Sequence, residues 1–206
     1  MPRPVVLLFS AVVLTFVLAG CFSGNSNNLT AQQREALLGL LDNGQDFADL
    51  TIRGLELPEE TAKKFPAVKK AFEITCGGHK LYAFHSQPLG YRSAIDLFTV
   101  IDSEKNETLG TRVLQHDETL LYGGESLDKE WFLNRFKNKS TALYLNRVPL
   151  EQTQPNDVIQ ITCATISSQA VINGVNAAMG TYRELILGEE AQPVSLKVEG
   201  FVTEIR

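Results

Sequence analysis

Three cysteines, three histidines, two methionines and one tryptophan in 206 residues leave little material for soft-metal, haem or thiol chemistry. No Cys-x-x-Cys pair occurs. Apart from His79 and His85, six apart in a strand-like stretch, no two histidines stand at ligand spacing, so zinc, haem and iron–sulfur sites are unsupported and no metal ligand is assigned. A Gly-x-Ser-x-Gly elbow is also missing, and Cys163 has no identifiable histidine partner, so a hydrolase with a serine or cysteine nucleophile has little behind it. Basic charge is short: 19 Lys and Arg face 24 Asp and Glu, a net of −5, which argues against nucleic acid as a partner. No apolar run reaches the about 20 residues that a membrane-spanning helix takes. Internal repeats and low-complexity runs are absent, and the length fits one domain with a real core.

The longest apolar run, Val5 to Ala19, follows Arg3 and ends in Leu18-Ala19-Gly20-Cys21. This is the pattern of an export signal, and the last four residues resemble the lipobox of bacterial lipoproteins, in which the cysteine is acylated and becomes the new N-terminus. The alternative is an uncleaved anchor helix with an incidental cysteine. Either way the body is expected outside the cytoplasm, anchored to a bacterial membrane, by lipid on Cys21 in the first reading. The expected organisation is a signal peptide over 1–20, a lipidated cysteine and flexible linker over 21–29, and a folded domain over 30–206. Removing residues 1–20 takes away Arg3 and no acid, so the mature chain is one unit more negative, at −6. Cys76 and Cys163 are left over, and sequence leaves their pairing open.

Thr30 followed by Gln33 predicts a capping box opening a helix through "AQQREALLGLLDNG", with Leu37, Leu38 and Leu41 on one face and Gly44 as its stop. A short helix is expected after Pro58. The stretch Ala71 to Ser86 reads as two strands joined at Gly77-Gly78, and Ala94 to Glu118 as a second hairpin turning near Lys105-Asn106. Trp131, Phe132 and Phe136 fall at helical spacing, and a loop runs through Pro155. Past Ser168, the residues Val171, Val175, Ala178, Met179 and Tyr182 fall on one helical face. The tail from Val194 looks like one or two closing strands. The fold class is therefore α+β: a single domain of antiparallel hairpins with flanking helices.

Just before the last helix, Thr162, Thr165, Ser167 and Ser168 crowd into seven positions. Two readings stand side by side. Ser167 or Ser168 is an ordinary N-cap, or the cluster leaves room for a phosphate at the unpaired N–H groups of the helix start.

"ITCATISSQAV" resembles the Ser-Gly-Ala-Thr-x-Thr-Ser-x-x-Val motif of the FMN-binding domain found in the G subunit of the Rnf electron-transport complex and the C subunit of the sodium-pumping NADH:quinone reductase. Gly90 to Gly124 is similar to that family's glycine-rich strand, its "ID…G" hairpin and its His-x-Glu-Thr-Pro-Gly-Leu-Gly loop, and "FLNRFKNKS" to its Phe-Leu-x-x-Phe-x-x-Lys-Ser segment. The resemblance implies FMN as cofactor, with its phosphate esterified to Thr165. Thr162, Cys163, Ala164, Ser167 and Ser168 then complete the attachment motif, and a helix starting near Ser167 faces the phosphate. It also places His116, Glu118, Thr119 and Gly123 in a second loop near the isoalloxazine, with Glu118 and Thr119 as polar contacts and Gly123 giving backbone room. The implied function is electron transfer in a respiratory or Rnf-type chain, with redox proteins of the same membrane as partners and no catalytic residue in the acid–base sense. Three departures bear on attachment. Ile159 stands where the family carries an aspartate, Asp157 lying two residues too early; Cys163 replaces a glycine; and Leu120, Leu121 and Tyr122 replace Pro-Gly-Leu. They leave open a second reading, a flavin-free lipoprotein that keeps the fold as a binding or assembly module.

Overall fold

The computed structural model describes residues 28–41 and 50–199; the expected signal segment, Cys21, most of the linker and Gly44 lie outside the described residues. Thr30 opens the first element. Its hydroxyl accepts the Gln33 N–H (3.2 Å) while the Gln33 side-chain oxygen accepts the Thr30 N–H (3.0 Å), the reciprocal box the sequence predicts, and α1 runs Ala31–Leu40. Leu37 and Leu41 are buried with Ala36 and Leu40, but Leu38 is 41% exposed, because the turn of about 100° per residue carries it off the face of Leu37.

Five antiparallel strands follow in simple succession: β1 (Thr51–Leu55), β2 (Val68–Cys76), β3 (His79–Ser86), β4 (Asp96–Asp102) and β5 (Glu107–Gln115), each paired with the next. Both expected hairpins are present. Gly77 and Gly78 take φ +55° and +85°, the two positive angles that a two-residue hairpin turn of this hand demands, and Asn106 supplies φ +54° in the other turn. The short helix α2 (Glu59–Lys64) begins directly after Pro58. Strand β1 went unread in the sequence because Arg53 and Gly54 break its alternation.

The sheet is covered on both sides, which is why its strands read as nearly continuous apolar runs. Leu81, Ala83, Phe98 and Val100 turn to α1, whereas Tyr82, Phe84, Leu97 and Ile101 turn to the long C-terminal helix α4 (Thr165–Tyr182). Val171, Val175, Ala178, Met179 and Tyr182 are all buried, as expected, but the helix starts two residues before Ser167. Gly174 and Gly180 bring it hard onto its neighbours. A Cβ at Gly180 would stand 2.5 Å from the Tyr144 hydroxyl and against the Phe65 ring.

In the chain between β5 and α4 comes α3 (Glu130–Leu133), which tightens into a 3₁₀ turn over Asn134–Phe136 and buries Phe132 and Phe136 completely. Two short parallel strands, β6 (Asn146–Val148) and β7 (Asp157–Ile159), replace the plain loop expected around Pro155. At three residues each they are too short for a periodic signal; side chains fix them instead. The Asp157 carboxylate accepts the N–H groups of Thr153 and Gln154 (2.9 Å each) and the Asn146 amide (3.1 Å), while the buried Lys139 ammonium donates to the Pro155 and Asp157 carbonyls. The expected closing strand is absent over 194–199, where Val194 N–H reaches Lys64 and Leu196 carbonyl reaches Leu89; such lone bonds to separate segments make no ladder. Residues 200–206 lie outside the described residues.

Two outcomes follow from this packing. Gly180→Ala gains about 1 kcal/mol of helix propensity but overpacks the helix at a cost of about 1–3 kcal/mol, so thermal unfolding should shift down by a few degrees; an unchanged or higher midpoint contradicts the packing. Asp157 is held at about 2, below its ordinary value, chiefly by the Thr153 N–H, then by Asn146 and the Gln154 N–H. Because its folded value is the depressed one, its contribution is complete above the unfolded carboxylate range near pH 4 and is lost as pH falls toward about 2. Asp157→Asn should therefore lower stability at neutral pH and flatten the acid limb of a stability–pH profile; an unchanged limb contradicts the assignment.

Candidate functional site

Three segments meet at the start of α4: the turn 161–165, the loop 116–124 that follows β5, and the turn 90–93 that precedes β4. The first is a tight corner. Cys163 takes φ +65°, Ala164 N–H donates to the Ile161 carbonyl (3.1 Å), and the Ser168 hydroxyl accepts the Ile161 N–H (2.9 Å). The positive φ explains why a glycine suits this position: a residue with a Cβ pays about 1–2 kcal/mol there. Ala164 is the N-cap residue and no side chain caps the helix, so neither Ser167 nor Ser168 is the ordinary N-cap that spacing alone allowed.

The second loop presses on that corner. Gly123 takes φ +87° and a Cβ there would lie 2.5 Å from the Ala164 Cβ and 3.0 Å from Ile161, so a glycine is needed for both backbone angle and approach. Glu118 is buried at 4% exposure, not solvated. Its Oε1 accepts the N–H groups of Arg92 (3.0 Å) and Ser93 (3.2 Å), and its Oε2 accepts the Tyr91 N–H (3.1 Å) and the Ser167 hydroxyl. His116 is half-buried, and its Nδ1 accepts the Glu118 N–H (3.2 Å).

Between these segments opens a cavity of about 330 Å³. Cys163, Ala164, Thr165 and Ser167 line it from the α4 side, Glu118 and Thr119 from the second loop. Tyr91 and Ile166 complete the wall. Of the residues named from sequence, Thr162, Ser168, Gly123 and His116 do not line it: Thr162 is exposed, Ser168 and Gly123 shape the corner, and His116 bonds the Glu118 N–H. Cys163 is exposed, and no disulfide joins it to the buried Cys76. Tyr91 was missed, although it follows Gly90 in the block already singled out; a glycine that admits a buried carboxylate, its Cβ position lying 2.6 Å from Glu118 Oε1, is a signal visible only in three dimensions.

Among the described residues no lysine or arginine lines the cavity. An anion seated there is met by the N–H groups of an uncapped 18-residue helix, which carry roughly half a positive charge. Lys139, the motif lysine of the "FLNRFKNKS" segment, is committed elsewhere, to the β6–β7 loop. Arg135 of the same segment donates to the Ile159 carbonyl and lies over the Trp131 ring (4.9 Å), steadying the approach to the corner. The histidines are dispersed: His79 pairs with Glu104 (3.0 Å) and His85 faces Asp96 (3.4 Å).

Residues 90–180 match the FMN-binding domain family, so the three segments that meet at the cavity fall inside the matched region. The G subunit of the ion-translocating oxidoreductase complex of Haemophilus influenzae is 29% identical over 177 residues, covering 82% of this chain and 83% of that protein. Two solved structures share the fold. NqrC of Shewanella oneidensis has a TM-score of 0.51 at 14% identity, over 72% of this chain and 90% of that one. The C subunit of the Na(+)-translocating NADH-quinone reductase from Parabacteroides distasonis has a TM-score of 0.54 at 17% identity, over 79% and 87%. The resemblance and the α+β fold class read from the sequence are thereby borne out.

Cys163→Gly relieves a left-handed backbone cost of about 1–2 kcal/mol against the chain entropy of a glycine, about 0.5–1 kcal/mol. Its thermal midpoint should equal or slightly exceed that of the wild type; a loss of more than about 1 kcal/mol contradicts the strained corner.

Proposed function

We propose that this chain, whose residues 90–180 match the FMN-binding domain family, is an electron-carrying flavoprotein held at the outer side of a membrane, with FMN seated at the start of α4 and its phosphate esterified to Thr165. One observation carries the choice of residue. Of the four clustered hydroxyls, Ser167 is bonded to Glu118, Ser168 holds the Ile161 N–H and Thr162 lies outside the cavity, whereas Thr165 stands on the cavity wall at the first position of the helix.

The residues fit the cofactor. The cavity lies within the size range of small-molecule sites. The helix N–H groups suit a phosphate without a cation, while Ala164, Ile166 and the Tyr91 ring offer apolar wall to a planar ring system and Thr119 a polar edge. Bound FMN supplies one- and two-electron chemistry; the chain binds, orients and partly shields it. A covalent bond suits a protein outside the cytoplasm, because a tethered cofactor keeps a high local concentration without tight binding.

Relatives named as subunits of ion-translocating complexes support redox partners in the same membrane. Among the described residues no helix is long and apolar enough to cross a bilayer. The anchor in this reading is lipid on Cys21, which follows the export segment. Protein isolated from its native host should be yellow and keep its colour on the polypeptide in acid, and Thr165→Val should release it. A colourless wild type that takes up no FMN overturns the reading in favour of a flavin-free assembly module.

A further inference from the structure

Glu118 is placed unlike a ligand contact. Both of its oxygens are occupied by the protein itself: three consecutive N–H groups, of Tyr91, Arg92 and Ser93, and the hydroxyl of Ser167 converge on one buried carboxylate. The three amides belong to the turn before β4, closed by the Gly90 N–H on the Ser93 carbonyl (2.8 Å), and the hydroxyl belongs to the first turn of α4, 49 residues away from Glu118 along the chain. Gly90 has no side chain because the carboxylate occupies the place where one would go.

We propose that Glu118 is a positioning residue that clasps the 90–93 turn to the head of α4. It thereby sets the distance between the Tyr91 ring and Thr165 across the cavity. The proposal rests on the flavin reading and assigns to Glu118 a role other than the direct polar contact expected from the resemblance.

The sign of a charge effect separates the two possibilities. A carboxylate beside a phosphate site repels the phosphate, so if Glu118 acted through its charge alone, removing that charge would tighten FMN. If it acts as a clasp, Glu118→Gln loosens FMN, because the amide keeps one acceptor and turns the other into a donor aimed at N–H groups. Ser167→Ala removes a single bond of the same clasp and serves as the milder variant.

The test uses the mature full chain, prepared without flavin, with free FMN as the probe followed by flavin fluorescence, and hydrogen exchange at residues 91–93 as a readout that needs no flavin. Glu118→Gln is expected to weaken FMN about tenfold or more, Ser167→Ala by about two- to fivefold, and the double variant no further than Glu118→Gln alone, since both act on one clasp. Amides 91–93, protected in the wild type, should exchange about tenfold faster in Glu118→Gln. FMN affinity that is unchanged or tighter in Glu118→Gln, or losses that add in the double variant, overturn the proposal. A wild type that takes up no FMN while Glu118→Gln still releases the three amides strikes the flavin reading and upholds the clasp.

Discussion

Three backbone amides and one hydroxyl converging on the Glu118 carboxylate are what make a site out of three loops. Burying such a group is costly unless it is fully bonded, and here both oxygens are. The sheet makes the convergence possible. The 90–93 turn leads into β4 and the 116–124 loop leaves β5, and the register sets Asp96 opposite Gln115, so both loops stand at the same end of one hairpin. Helix α4 then packs along β3 and β4 with its first turn beside that end. Loops carry the chemistry while a two-sided core holds their roots.

The electrostatics of the site come from the backbone. Among the described residues of this acidic chain no lysine or arginine stands on the cavity wall, so an anion there would have to be held by N–H groups and a helix end, which are positioned by the fold and bring no mobile charge. The basic residues nearby in sequence have structural work: Lys139 satisfies the carbonyls of the β6–β7 loop, Arg135 those of Ile159 and Gln160, and Arg92 pairs with Asp117 at the surface. Asp157, which from sequence looked like a displaced aspartate of the attachment motif, is the centre of the hydrogen bonds that shape that same loop.

Much of this was legible in the residues. Gly77-Gly78 and Asn106 announced their turns, Thr30 and Gln33 their cap, and the apolar spacing of Val171 to Tyr182 the face that α4 buries. Elements without periodic patterns were not: β1 is broken by Arg53-Gly54, and β6 and β7 are only three residues long and stand on side-chain bonds. At the site, the crowding of hydroxyls before α4 pointed to the right corner but not to the division of labour within it. Ser167 and Ser168 are taken by Glu118 and Ile161, contacts of long sequence separation in the one case and hidden in a turn in the other. The glycine replaced by Cys163 marks a real positive φ, a constraint that the chain meets at a cost. Tyr91 entered the site through folding alone.

The central claim is that the Thr165 hydroxyl carries or seats a flavin at the first turn of α4. Peptide-resolved mass spectrometry of the protein from its native host addresses it most directly, and the same spectrum reads the state of Cys21. The account predicts that the peptide bearing Thr165 is heavier by one FMN less the water lost in forming the ester. An unmodified Thr165 peptide, from colourless protein that takes up no FMN from solution, would contradict it.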